Sequence, residues 1–326
     1  MLKGMPISVL DLVPVLEGQT TKQAFERAKQ LAVLADDLGY KRYWVAEHHN
    51  SRAIASSATS VVIGYLASAT KNIRIGSGGV MLPNHAPLIV AEQFGTLDAM
   101  YPGRIDLGLG RAPGTDPFTA RALRRHAGED FEGDLLELYR YLSGAKETDH
   151  IKAYPGFGAN IPLWLLGSSL FSADLAARRG LPYAFASHFA PDYLTRAIKI
   201  YKEQFQPSEH LEKPHMMACV NVIIADTDEE AHFLATTYYQ FFLSIIRRDH
   251  QLLKPPVENM DEIWSSFEKD AVMQQRQYTF IGSQQTVKEG LEQFVSDTGV
   301  DEIMVTTSIY DEKARAKSFT LLKELF

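Results

Sequence analysis

The stretch "IRIGSGGVMLPNHAPLIVAEQFGTLDAMYPGRIDLGLG", residues 73–110, decides the fold class. An apolar run at 73–79 passes through a turn stiffened by Pro83 and Pro87 into a segment of helical period at 87–100, and another apolar run follows at 105–110. Length and β-branched content mark the outer pieces as strands, and the period of the middle piece marks it as a helix. The same alternation continues in both directions. Strand and helix pair at 7–13 with 21–38, 42–46 with 57–69, 73–79 with 87–100, 105–110 with 130–142, 161–166 with 172–179, 182–186 with 191–205, 216–225 with 229–246, and 302–306 with 312–325. In the first helix Phe25, Ala28, Leu31, Ala32 and Ala35 form one stripe, and Gly39 supplies the stop.

Eight such units without a run of hairpin signals describe a parallel sheet covered by helices, and eight close a TIM (β/α)8 barrel. A doubly wound sheet with a separate helical domain is the rival. The count breaks at about 249–285, read as an insertion between the seventh and eighth units of a single domain spanning 1–326. Pro255-Pro256 stiffen its turn, and Ser283 is placed to cap the helix that begins near Gln285. A second irregular, turn-rich piece lies at 144–160.

A net charge of −7, with no basic run longer than the pairs Arg124-Arg125, Arg178-Arg179 and Arg247-Arg248, argues against nucleic acid or anionic membrane as the main partner. Those pairs read as solvated helix faces. The single cysteine, Cys219, excludes an intrachain disulfide, and the opening "MLKGMPISVL" has neither a long apolar region nor a small-residue cleavage site, so a cytoplasmic protein is expected. No segment approaches the ~20 continuous apolar residues of a membrane span.

In a barrel of this kind reactive groups sit at the carboxyl ends of strands. After the second strand come Glu47, His48 and His49. Successive strand residues point to opposite faces, so a metal site using both adjacent histidines is not expected, while one histidine can act as acid, base or hydrogen-bond donor. After the third strand, glycines at 76, 78 and 79 permit either close backbone approach to a ligand or a tight bend. After the fourth, Gly108 and Gly110 lack the third glycine of a dinucleotide fingerprint, and Arg111 reads as an anion ligand or as a rim ion pair with Asp106 or Asp116. After the fifth, Gly167, Ser168 and Ser169 open a helix and read as a phosphate cradle without the P-loop lysine, or as a plain serine cap. A sugar-phosphate isomerase or aldolase would need a strand-end lysine or paired carboxylate base, and the sequence offers neither.

Together, "YWVAEHHN", the stretch from residue 73 to "GLGRAPG", "LWLLGSSLFSADLAA" and "GLPYAFASHFAP" resemble the bacterial luciferase-like flavin-dependent oxidoreductases. The likeness is strongest over 7–114 and 162–191 and resumes at "FIGSQQTVKEGLEQF"; the insertion carries none. The resemblance implies a TIM barrel with a flavin pocket at its mouth. It assigns the flavin phosphate to Arg111, Gly167, Ser168 and Ser169, and lays Ser77, Gly78 and Gly79 against the isoalloxazine, with a non-proline cis peptide expected at Ser77-Gly78. His48 falls on the histidine tied to catalysis, with Glu47 supporting it and His49 structural.

The activity implied is a monooxygenase that takes reduced FMN as cosubstrate and oxidises a small organic substrate with dioxygen through a flavin C4a peroxide. A separate flavin reductase is the implied partner. A homodimer is expected through 57–69 and 86–100, which hold Ala58, Val61, Val62, Tyr65 and Phe94. Light emission is not implied, because no unlike subunit or long aldehyde pocket is indicated. The alternatives are hydride transfer with a deazaflavin, or flavin binding without turnover.

Overall fold

The computed structural model describes residues 2–123, 130–144, 150–249 and 251–326. Its strands are β1 (Ile7–Asp11), β2 (Arg42–Val45), β3 (Arg74–Met81), β4 (Ile105–Gly110), β5 (Leu163–Gly167), β6 (Tyr183–Phe185), β7 (Met216–Ile224), β8 (Thr279–Gly282) and β9 (Glu302–Thr306). The helices are α1 (Thr21–Asp37), α2 (Thr59–Ala67), α3 (Pro87–Met100), α4 (Pro117–Ala122), α5 (Phe131–Leu142), α6 (Leu170–Arg179), α7 (Leu194–Gln204), α8 (Asp228–Ile246), α9 (Ser266–Gln274), α10 (Gln284–Thr298) and α11 (Glu312–Lys323). Strands β1 to β7 pair in sequence, β7 pairs with β9 and β9 with β1, all parallel, so eight strands close a barrel. The TIM barrel read from the eight repeated units is the observed fold.

The barrel interior is packed by Leu10, Trp44, Trp164, Met217, Cys219 and Met304, with the two indoles edge to face at 5.3 Å. Gly76 makes room for this arrangement, since a Cβ there would stand 2.8 Å from the Trp44 indole nitrogen. At the amino ends of the strands, Arg42 donates to Asp106 at 2.8 Å and to both oxygens of Glu302 at 2.8 and 3.1 Å, and Arg74 reaches Asp106 at 2.7 Å. Buried charges persist only when paired and hydrogen-bonded in this way. Asp106 is therefore held at the end of the barrel opposite the mouth, and the expected alternative of an Arg111–Asp106 pair is not realised.

Strand β8 escapes the sequence reading. The three-residue β6 covers only the first part of β7 (Tyr183↔Met216 to Phe185↔Ala218), which leaves the rest of that edge open. β8 fills it, pairing Asn221↔Thr279 through Ile224↔Gly282, and so satisfies backbone groups that would otherwise be orphaned. The extra elements between the seventh and eighth units thus run from α9 through β8 to α10, past the expected limit near 285. Ser283 does stand at the start of α10, but its hydroxyl meets Thr286 Oγ1 at 3.2 Å and caps no backbone amide. Arg178 pairs with Asp174 and Glu132, and Arg247 with Glu268, on solvated faces; Arg124-Arg125 lie outside the described residues. Among the described residues, no helix is long and apolar enough to cross a membrane.

Candidate functional site

Glu47 follows β2 and is buried at the barrel mouth. Its carboxylate accepts from His49 Nε2 at 2.8 Å, His85 Nε2 at 3.0 Å, Asn84 Nδ2 at 3.1 Å and the Met81 amide at 3.1 Å. Burial pushes the carboxyl pKa up. The hydrogen bonds from His85, then His49 and Met81, outweigh burial and hold it below its ordinary range. The group ties the loop after β2 to the loop after β3, and Asn84 Nδ2 also reaches Pro113 O in the loop after β4 at 3.1 Å. The possible ligand atoms of Glu47, His49 and His85 lie within 4.8 Å of one another, close enough to hold a metal ion, yet each already has a hydrogen-bond partner in the cluster. The pairing of His85 with Glu47 was not legible in the sequence, since the two lie 38 residues apart.

His48 turns the other way. Its amide is fixed by Ser56 O at 3.0 Å, and its Nδ1 is buried with no partner. Burial lowers its pKa, Glu47 opposes that and His49 adds to it. Glu47 thus influences His48 only through its charge, while its hydrogen bonds orient His49 and His85. Beyond β6 stands His188, which the sequence reading passed over although it lies in the quoted "GLPYAFASHFAP"; the strand-end rule that drew attention to Glu47, His48 and His49 applies to it equally. Its Nδ1 is also buried and unpartnered.

The floor between these loops is glycine because nothing larger fits. A Cβ on Gly78 would meet Leu10 Cδ1 at 2.8 Å, one on Gly79 would meet Gly108 O at 2.9 Å, and one on Gly108 would meet Ser77 O at 2.1 Å. The non-proline cis bond is Gly78–Gly79, one residue beyond the expected Ser77-Gly78, at the point where the β3–β4 register shifts. Ser77 is buried, and its hydroxyl donates to Gly108 O at 2.8 Å and accepts from Gly108 N at 3.0 Å. That side chain locks the bulge.

Arg111 leaves β4 at the mouth with its guanidinium 4.1 Å over the Phe171 ring of α6. Ser169 is the N-cap of α6 without a side-chain cap bond, so the first amides of that helix are open beside Arg111. Gly167 is required here because a Cβ would stand 2.6 Å from Ser172 Oγ. Asp116, the other suggested partner of Arg111, caps α4 through Phe118 N at 2.8 Å and Thr119 N at 3.1 Å. The structure therefore brings Arg111, Gly167, Ser168 and Ser169 to one edge of the mouth and Glu47, His48 and the Gly78–Gly79 floor to another.

The insertion is tied to the rim of the mouth. Leu253 N donates to Val15 O at 3.0 Å and Glu17 N to Leu253 O at 2.8 Å, strapping the segment to the loop after β1. A cavity of about 510 Å³ next to this segment is lined by Glu17, Asn50, Arg52, Asp249, Gln251, Leu252 and Lys254.

This geometry agrees with what the chain is similar to. The family model for luciferase-like monooxygenases matches residues 5–302. A luciferase-like monooxygenase of Escherichia coli strain K12 is 50% identical over 326 residues, covering 99% of this chain and 97% of that protein. The crystal structure of apo-MsnO8 superposes with a TM-score of 0.88 at 34% identity, covering 99% and 98% of the two chains. The oxygenating constituent of 3,6-diketocamphane monooxygenase of Pseudomonas putida, solved in complex with FMN, shares the fold at 21% identity, with a TM-score of 0.78 and 98% coverage of each chain. Matched from end to end by a relative with half its residues in common, the chain belongs to the luciferase-like monooxygenase family.

Proposed function

We propose that this protein is an FMN-dependent monooxygenase that takes reduced FMN from a separate flavin reductase and uses dioxygen to oxidise a small organic molecule. The observation that carries this reading is the meeting of Arg111 with the open amino end of α6 at the mouth. A permanently charged fork beside free amides suits a phosphate dianion. The residues fit the rest of the flavin too. A floor without Cβ atoms suits a flat ring, and His48 Nδ1 is a nitrogen without a partner in the protein.

When bound, reduced FMN would supply the oxygen chemistry. The chain does the rest. Arg111, Ser168 and Ser169 hold the phosphate, and Gly78 and Gly79 let the ring lie close to the backbone. His48 holds or moves a proton at its free nitrogen, Glu47 keeps the surrounding loops in register, and the insertion strapped by Leu253 excludes water. The unengaged His48 favours turnover over mere flavin storage. A reductase partner accords with the name of a 22% identical relative, the oxygenase component of the trigonelline monooxygenase of Acinetobacter baylyi. A homodimer through α2 and α3 belongs to the same reading, since Val61 is 71% exposed there beside Tyr65 and Ile89.

Titration with FMN and riboflavin tests the phosphate site. FMN should bind at least about tenfold more tightly, and Arg111→Ala should abolish the difference. Equal affinities would remove the assignment. The fold also serves deazaflavin enzymes. Rapid hydride exchange with a deazaflavin, together with no oxygenated flavin on mixing the reduced FMN complex with air, would move the chain to that chemistry.

A further inference from the structure

His48 and His188 stand at the carboxyl ends of β2 and β6, which face each other across the eight-strand ring. Both Nδ1 atoms are buried without a partner, an unusual state for a polar group that could have been satisfied by a neighbouring carbonyl. The loop that carries His188 is pinned. Asn221 of β7 donates from Nδ2 to His188 O at 2.7 Å and Ser187 Oγ to Cys219 O at 2.6 Å, while Phe189 packs edge-on against the imidazole at 4.9 Å. His48 is pinned in turn through Ser56. Two imidazoles on opposite strands of the ring thus each hold a buried nitrogen without a partner, on loops whose backbones are fixed.

We propose that His188 is a second residue that contacts the ligand, and that it works with His48 as one proton-handling pair spanning the mouth. The proposal rests on the monooxygenase reading above. Two neutral imidazoles complement a hydroxyl: one ring donates N–H to the oxygen, and the O–H donates to the bare nitrogen of the other. Once the first ring has taken up a proton and is an imidazolium, the oxygen can take that proton while losing its own to the second, neutral ring; one proton has then crossed the site, the first ring is left neutral and the net charge is unchanged. The titratable groups facing His48 are Glu47 and His49, and the one facing His188 is His48, whose charge disfavours protonation of His188. The pair therefore accepts one proton and resists a second.

Protein labelled with ¹⁵N-histidine and free of flavin is titrated by NMR as wild type, His48→Gln and His188→Gln. In His48→Gln the His188 ring should protonate about one pH unit higher than in wild type; an unmoved titration overturns the pairing. The reduced FMN complex is then mixed with oxygen, and the lifetime of the oxygenated species is followed. Each single variant should shorten it about 10²-fold, and the double variant should be no worse than either single one. Multiplying effects would mean separate roles, and a wild-type lifetime in His188→Gln would reduce His188 to packing; both outcomes overturn the proposal. Should His188→Gln fail to fold in a urea titration, His188→Asn takes its place. A wild type that binds no FMN would remove the monooxygenase reading, and the flavin-free titration would still decide whether the histidines are coupled.

Discussion

His49 Nε2 lies 2.8 Å from Glu47 Oε1, although the two residues flank His48, whose own nitrogen Nδ1 meets nothing. A loop that rotates alternate side chains to opposite sides divides adjacent histidines between anchoring and solvent-free availability. Glu47 and His49 hold the loop, and His48 is left unengaged at the mouth.

Glu47→Gln keeps the volume but turns one acceptor into an N–H directed at donors. Loss of charge-assisted hydrogen bonds from a buried site should destabilise the protein by about 2 kcal/mol. A urea midpoint equal to that of the wild type would show that the cluster does not anchor the loops.

Acid should destabilise the protein in two windows. His188 is buried neutral, its pKa pushed down to about 3 first by burial and then by His48, against an ordinary 6.5. The unfolded chain takes up a proton that the folded chain refuses, so stability falls as pH drops from 6.5 toward 3. Burial would raise Glu302, but hydrogen bonds from His215 and Arg42 and the Arg42 charge bring it to about 2 against an ordinary 4.5. Its contribution is complete above 4.5, disappears toward pH 2, and amounts to about 3 kcal/mol. Urea midpoints measured from pH 7.5 to 3 should decline less steeply below 6.5 in His188→Gln. An unchanged slope would exclude His188 as the source.

Gly108→Ala places a Cβ 2.1 Å from Ser77 O, a backbone atom inside the sheet that cannot step aside. A loss of more than about 3 kcal/mol is expected, enough to prevent folding of a marginal barrel. Gly103→Ala is the control: its Cβ meets nothing within 4 Å, and its φ of +71° should cost about 1 kcal/mol. Comparable melting temperatures for the two variants would contradict the crowding at the β3–β4 floor.

Val61→Glu, on the exposed face of α2, should weaken a dimer about a hundredfold by burying an unpaired charge, while leaving the monomer folded. Light scattering at micromolar concentration checks both proteins. A monomeric wild type, or a variant that remains dimeric, would place the interface elsewhere or remove it.

The eight barrel units were legible because each is local. A stripe such as Ala28, Leu31, Ala32 and Ala35 buries one helix face whatever lies beneath it, and repetition of the unit implies closure. The strand-end rule likewise pointed to the Glu47–His49 segment, Arg111 and the Gly167–Ser169 turn without knowledge of any contact, while the choice of His48 within that segment came from the family resemblance. Whatever depended on residues distant in sequence was not legible. The four-residue β8 exists because β6 is too short to cover the edge of β7, and no pattern within Thr279–Gly282 reports that vacancy. The cis bond sits at Gly78–Gly79, where the register shift against β4 brings the two backbones together, a matter of pairing that glycine content alone does not locate. His85 joins Glu47, and His188 faces His48, only after the barrel closes. Side-chain period is a property of a segment, so the sequence by itself determined the elements and their order; hydrogen bonding across the mouth depends on which strand ends become neighbours, and only the tertiary structure decided that.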